Sequence, residues 1–85
     1  MCRNITALRG LEPPATEEEV SAAALQYVRK VAALSSISAV NRAAVDEAVT
    51  AIAAATHRLL STLPDRRVPP KTEPPLRRLA HAHNH

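Results

Sequence analysis

The fold is decided by residues 16–34, which read TEEEVSAAALQYVRKVAAL. Thr16 stands three residues before Glu19, which is the spacing of a capping box. In that motif the hydroxyl and the carboxylate each accept a backbone N–H at the start of a helix. Three glutamates follow the cap and two cations lie near the other end, as the helix dipole favours. This stretch predicts a helix from about Glu17 to Leu34.

Apolar residues mark one stripe on this helix and on a second one that follows it. The first stripe comprises Val20, Ala24, Tyr27, Val28, Val31 and Leu34. Residues 35–38 break the pattern, and Ser38 is a suitable N-cap for a second helix running to about Leu63, before Pro64. The second stripe comprises Val45, Ala48, Val49, Ile52, Ala55, Leu59 and Leu63. The short linker predicts an antiparallel helical hairpin.

The residues before the hairpin predict a short helical turn packed across it. Ile5, Leu8 and Leu11 recur at a spacing of three, between Asn4 as a cap and Gly10 as a left-handed stop. The expected fold class is therefore all-α, with a helical domain over residues 1–63.

The character of the chain changes at Pro64, because five of the seven prolines lie between Pro64 and Pro75. We expect residues 64–85 to form a disordered, basic, proline-rich tail. A turn of helix over residues 76–80 could form on a partner.

The positive charge belongs to this tail. Six cations balance six anions in residues 1–64, whereas residues 65–85 carry five cations and two anions, which accounts for the net charge of +3. The tail cations are Arg66, Arg67, Lys71, Arg77 and Arg78. They are candidates for salt-dependent contact with nucleic-acid phosphates. No aromatic residues are interleaved with them for base stacking, and a purely solubilising tail is the alternative.

The composition favours a protein that meets a partner. The chain has 17 alanines, one tyrosine and no phenylalanine or tryptophan, so its core buries little area. Self-association, or association with another helical protein, would add that area. We expect a non-enzymatic interaction module. The single cysteine and the lack of an apolar run of membrane-spanning length predict a cytoplasmic protein that does not enter the membrane.

Few residues suggest chemistry, and none is assigned as catalytic or as a cofactor ligand. Cys2 is a candidate thiol or metal ligand, or a small residue tucked against the helices. His81, His83 and His85 are candidate metal ligands at a flexible end. His57 could pair with Cys2 as a base, or simply be solvated on its helix. The glutamates at positions 17–19 could hold a hard cation, although stabilisation of the helix start explains them.

Two stretches of the sequence together carry a family resemblance. Residues 1–5 read MCRNI, and residues 13–31 read PPATEEEVSAAALQYVRKV. The chain resembles an uncharacterised family of short bacterial proteins that begin with this signature, over roughly residues 1–63. Members often have Lys-Pro-Ser in the inter-helix loop, where this chain has Ser36-Ile37-Ser38. The resemblance implies a fold unit and a bacterial source but no activity. It draws attention to Cys2, Arg3 and Asn4.

Overall fold

The computed structural model of the protein describes residues 4–64 and 73–77. Two helices, α1 (Glu17–Val31) and α2 (Ala39–Thr62), pack against each other. No strand occurs in the described ranges. The predicted all-α hairpin is therefore confirmed.

The start of α1 is the capping box that the sequence predicts. The Glu19 N–H donates to Thr16 Oγ1 at 3.1 Å, and the Thr16 N–H donates to Glu19 Oε1 at 2.8 Å. Two backbone donors that the helix itself leaves unpaired are satisfied in this way. Helix α1 thus begins where the sequence places it.

The end of α1 comes three residues earlier than predicted, at Val31 rather than Leu34. Ala33 adopts a positive φ of 57°. Its N–H donates to Lys30 O at 3.3 Å, and the Leu34 N–H donates to Arg29 O at 2.8 Å. These two bonds form a Schellman motif, which normally has glycine at the left-handed position. Because an alanine occupies that position here, the sequence carries no stop signal for the helix.

Helix α2 begins directly after Ser38, the predicted N-cap, but the Ser38 hydroxyl makes no capping hydrogen bond. The helix ends at Thr62, one residue before the predicted Leu63. Pro64 follows and cannot continue it.

The core lies between the two helices and the segment that precedes them. Its central cluster consists of Leu8, Leu11, Val20, Ala24 and Ala53, with Val20 only 1% exposed. Ala53 lies outside the predicted stripe of α2, and it is buried because the N-terminal segment covers that flank.

The predicted stripes are buried only in part. Val28 and Val45 are buried as expected. Tyr27 and Val31 are 48% and 66% exposed, and Leu59 is 53% exposed. The hairpin therefore leaves part of its apolar surface uncovered.

The N-terminal segment packs on the hairpin but does not form the predicted helical turn. Its described residues before α1 contain bends and a turn at Arg9 and Gly10, without helix. Gly10 does take the expected positive φ, at 89°. Leu8 and Leu11 are buried, whereas Ile5 is exposed, as suits an irregular segment that follows the groove between two helices.

Three hydrogen bonds to other parts of the chain replace that helical turn. The Asn4 N–H donates to Gln26 Oε1 at 2.7 Å, so Asn4 is held by α1 and does not cap a turn. Arg9 donates from Nε and Nη2 to Pro64 O, at 2.9 and 2.6 Å. The segment therefore connects the side of α1 to the end of α2.

Residues 73–77 lie against the body of the protein. A single helical turn occupies residues 75–77, and Pro74 and Arg77 are buried. These five residues depart from the expected disordered tail. The physical reason is a set of hydrogen-bond acceptors that Arg77 reaches, among them the buried Glu19 carboxylate. The turn of helix predicted to form on a partner over residues 76–80 falls partly outside the described residues and stays a prediction. Residues 65–72 and 78–85 are outside the described residues.

Candidate functional site

A buried ion pair joins the tail to the start of α1. Arg77 donates from Nε to Glu19 Oε2 at 3.1 Å and from Nη2 to Glu19 Oε1 at 3.0 Å. Its Nη1 and Nη2 also donate to the carbonyl oxygens of Pro13 and Pro14, at 2.8 and 3.2 Å. We call this set of four hydrogen bonds the tail clamp.

The acceptor side of the tail clamp is built entirely from residues 13–19, which we call the cradle. The two prolines turn the chain before α1 and leave their carbonyl oxygens facing Arg77. The capping bond from the Thr16 N–H orients the Glu19 carboxylate. Arg77 and Glu19 are 8% and 4% exposed, so the planar guanidinium meets the carboxylate bidentately away from water.

This position bears on the predicted phosphate contacts of the tail. In the clamped arrangement the Arg77 guanidinium faces Glu19 and the proline carbonyls, and it is not open to a phosphate. The other tail cations, Arg66, Arg67, Lys71 and Arg78, lie outside the described residues, and their contact with nucleic acid stays a prediction.

The second distinctive surface is an uncovered flank of the hairpin, which we call the open edge. It comprises Tyr27, Ala48, Ala55 and Leu59. At 100° per residue, Ala48, Ala55 and Leu59 lie on the side of α2 opposite Ala53 and His57.

The same reasoning places Tyr27 on this flank. Tyr27 lies on the side of α1 opposite Leu25, and Leu25 borders a groove that Asn4 also lines. The N-terminal segment covers the hairpin on the Leu25 and Ala53 side. The open edge is therefore the flank that this segment leaves uncovered.

A surface groove of about 380 Å³ lies beside the N-terminal signature. It is lined by Asn4, Ala22, Leu25, Gln26 and Arg29. Arg29 turns away toward the end of α1, where its Nε donates to Leu34 O at 3.3 Å and its Nη2 donates to Ser35 O. Of the signature residues, Asn4 borders this groove, while Cys2 and Arg3 lie outside the described residues.

The structure brings together no set of metal ligands within residues 4–64 and 73–77. Glu19 is turned into the tail clamp, whereas Glu17 and Glu18 are exposed, so the three glutamates do not converge on one point. Cys2 and the histidines at positions 81, 83 and 85 fall outside the described part of the chain. Their proposed metal or thiol roles stay predictions.

His57 is half-buried on the flank of α2 that the N-terminal segment covers. Its Nε2 atom is buried and has no hydrogen-bond partner in the described ranges. Cys2 lies outside the described residues, so its pairing with His57 stays a prediction. The described helices include none that is long and apolar enough to cross a membrane.

Two surfaces were not visible to sequence reasoning. The tail clamp joins residues 58 positions apart, and each partner has a sufficient local explanation: Glu19 caps a helix and Arg77 belongs to a basic tail. The open edge was hidden because Tyr27 and Leu59 fit the core stripes. The signal that pointed to it was the composition, which favours association because a core so rich in alanine buries little area.

Comparison with known proteins gives one match. The search of curated proteins and the search of solved structures each found none. The sequence profile of DUF2277, described as an uncharacterized conserved protein, matches residues 1–84. The match extends past the roughly 63 residues of the predicted resemblance and takes in the tail. The chain belongs to the DUF2277 family of uncharacterised conserved proteins.

Proposed function

We propose that the protein is a non-enzymatic interaction module that associates with a second copy of itself through the open edge. The exposure of Tyr27 and Leu59, which helix geometry places on the side away from the N-terminal segment, is the observation that carries this proposal. These side chains belong to the same stripes as the core residues. A second hairpin laid along this flank would cover them in the way that the N-terminal segment covers the opposite one.

The expected strength of this association follows from the size of the edge. From Ala48 to Leu59, α2 rises by about 16 Å, and a helix is about 10–12 Å wide. The edge therefore offers roughly 200 Å² per copy, against about 800 Å² per partner in a typical stable complex. Burying each half-exposed large side chain contributes about 1 kcal/mol. We expect a weak dimer that forms with rising concentration.

Sedimentation equilibrium of the full chain, from low micromolar to near-millimolar concentration, tests the proposal. Leu59→Glu places a charge on the open edge and should return the protein to a monomer. Val40→Glu is the matched control, because Val40 is 91% exposed and belongs neither to the core cluster nor to the open edge. That variant should associate like the unmodified chain.

A chain that stays monomeric over the whole concentration range would refute self-association. A dimer weakened equally by Leu59→Glu and Val40→Glu would refute the open edge as the interface. Circular dichroism of each variant checks that the helices are retained.

We also propose a cytoplasmic location, because the single cysteine suits a reducing compartment. Recovery of the protein in the cytosolic fraction of fractionated cells would support this location. Recovery with membranes or outside the cell would contradict it.

A further inference from the structure

The tail clamp joins an acceptor segment and a donor side chain that lie far apart in the same chain. Every acceptor lies on residues 13–19, and the donor is a single side chain, Arg77. Residues 65–72 form the sequence between Pro64, which Arg9 holds at the end of α2, and the docked segment 73–77. We call residues 73–77 the docked segment from here on.

Some of the contacts that hold the cradle do not involve Arg77. Glu19 is held by the Thr16 N–H and by its place in the first turn of α1. Pro13 is confined to the extended region by the proline that follows it, which limits the direction of its carbonyl oxygen. A guanidinium on a short proline-flanked peptide is the chemistry that fits four oxygen acceptors of this kind.

We propose that the cradle of one copy binds the docked segment of a second copy, in a reciprocal exchange that accompanies dimer formation. This inference rests on the proposed self-association and names the segment and the site through which it is completed. A segment of the second copy makes the same four hydrogen bonds, so exchange loses no contact. Reciprocal exchange also gives a closed two-fold dimer, in which neither cradle is left empty.

The reach of the linker permits the exchange. From Pro64 to Glu73 there are nine peptide steps, which span up to about 30 Å when extended. Packed helices lie about 8–10 Å apart. A neighbouring cradle that lies within about 30 Å of Pro64 is therefore within reach of the docked segment.

The area of the open edge gives a reason for the exchange. The edge alone supplies roughly a quarter of the area of a typical stable interface. An exchanged segment moves the burial of Pro74 and Arg77 into the interface between copies. Contacts that the monomer makes within one chain then become contacts between the two copies. The docked segment therefore determines how long the two copies remain together.

Mixing two complementary variants of the full chain tests the exchange. Glu19→Gln keeps the capping bond and removes the anionic acceptor, whereas Arg77→Met removes the guanidinium. In an exchanged mixed dimer, the Glu19→Gln copy donates its arginine to the intact cradle of the Arg77→Met copy. In a dimer without exchange, both clamps stay broken. One variant is labelled with ¹⁵N, and native mass spectrometry counts the mixed and the pure dimers.

We expect the ratio of mixed to pure dimers to exceed its random value by roughly tenfold. The reason is that only the mixed dimer regains the hydrogen bonds between Arg77 and the charged Glu19 carboxylate, and such bonds change an equilibrium constant by about that factor. A mixture of labelled and unlabelled unmodified chains is the control and should give the random ratio. A random ratio for the variant mixture, with dimers of the unmodified chain present, would overturn the exchange and leave self-association intact. The absence of dimers in the control would overturn both.

A second measurement covers the case in which the two variants fold poorly. Arg77→Lys keeps a cation at the docked segment and introduces an amine that carbodiimide joins to the Glu19 carboxylate. The chemistry forms an amide with loss of water. With an equal mixture of labelled and unlabelled chains, exchange predicts cross-linked peptides that carry one label. Cross-links confined to fully labelled or fully unlabelled pairs would overturn it.

Discussion

Breaking the tail clamp is the most direct test of how the tail and the body stabilise each other. Three variants of the full chain form a double-mutant cycle: Arg77→Ala, Glu19→Ala and the two together. Each single change removes the bidentate pair between two groups that are 8% and 4% exposed. The cycle isolates their interaction from what each side chain does alone.

The magnitude follows from what happens to the partner that remains. Removing one half of a deeply buried pair costs about 3–5 kcal/mol when the other half cannot reach water. Here the docked segment can leave the cradle, so the remaining Glu19 or Arg77 is rehydrated. We therefore expect Arg77→Ala to lower the free energy of unfolding by about 1.5–3 kcal/mol, the range for hydrogen bonds to charged groups.

Glu19→Ala should cost about 1 kcal/mol more than Arg77→Ala, because it also removes the capping bond to Thr16. The double variant should be no less stable than Glu19→Ala. The coupling energy between the two positions is then about 1.5–3 kcal/mol.

Urea unfolding followed by far-ultraviolet circular dichroism measures all four chains. One protein concentration must be used throughout, because self-association raises the apparent stability. Additive effects, with a coupling energy below about 0.5 kcal/mol, would refute the reasoning. In that case Arg77 and Glu19 would be neighbours that contribute independently.

Further predictions follow from single positions and share the same unfolding assay. Val20→Ala should destabilise the protein by about 1–3 kcal/mol, because Val20 is 1% exposed. Val40→Ala should change the stability by less than about 0.5 kcal/mol, because Val40 is 91% exposed. Equal effects of the two changes would contradict the core assignment. Gly10→Ala should destabilise and Ala33→Gly should stabilise, each by about 1 kcal/mol, because both residues have positive φ; effects of the opposite sign would contradict these backbone assignments. Thr16→Ala should cost about 1 kcal/mol through loss of the cap, and an unchanged midpoint would argue against it.

The helices of this protein are largely encoded locally. The capping box at Thr16 and Glu19 needs only a spacing of three residues, and the stop at Pro64 needs only the chemistry of proline. Signals of this kind are complete within one helical turn. They predict where α1 starts and where α2 starts and ends to within a residue.

The features that sequence reasoning missed depend on partners distant in the chain or on atypical residues. The Schellman ending has Ala33 where glycine is usual, so α1 was predicted three residues too long. The Asn4 N–H binds Gln26 instead of starting a helical turn. Which apolar residues stay exposed depends on what the N-terminal segment covers, and no local pattern encodes that choice.

The tail clamp also changes how the predicted nucleic-acid contact must be tested. Deleting residues 65–85 would remove the tail cations together with Arg77, and weaker binding could then reflect an altered body. The profile match through residue 84 likewise treats the tail as part of the family's unit.

The informative variant neutralises the cations that lie outside the clamp and retains Arg77: Arg66→Gln, Arg67→Gln, Lys71→Gln and Arg78→Gln. If the tail contacts phosphates, this chain should lose salt-dependent binding to duplex DNA while its unfolding midpoint is unchanged. Binding equal to that of the unmodified chain would show that these cations do not contact the phosphates.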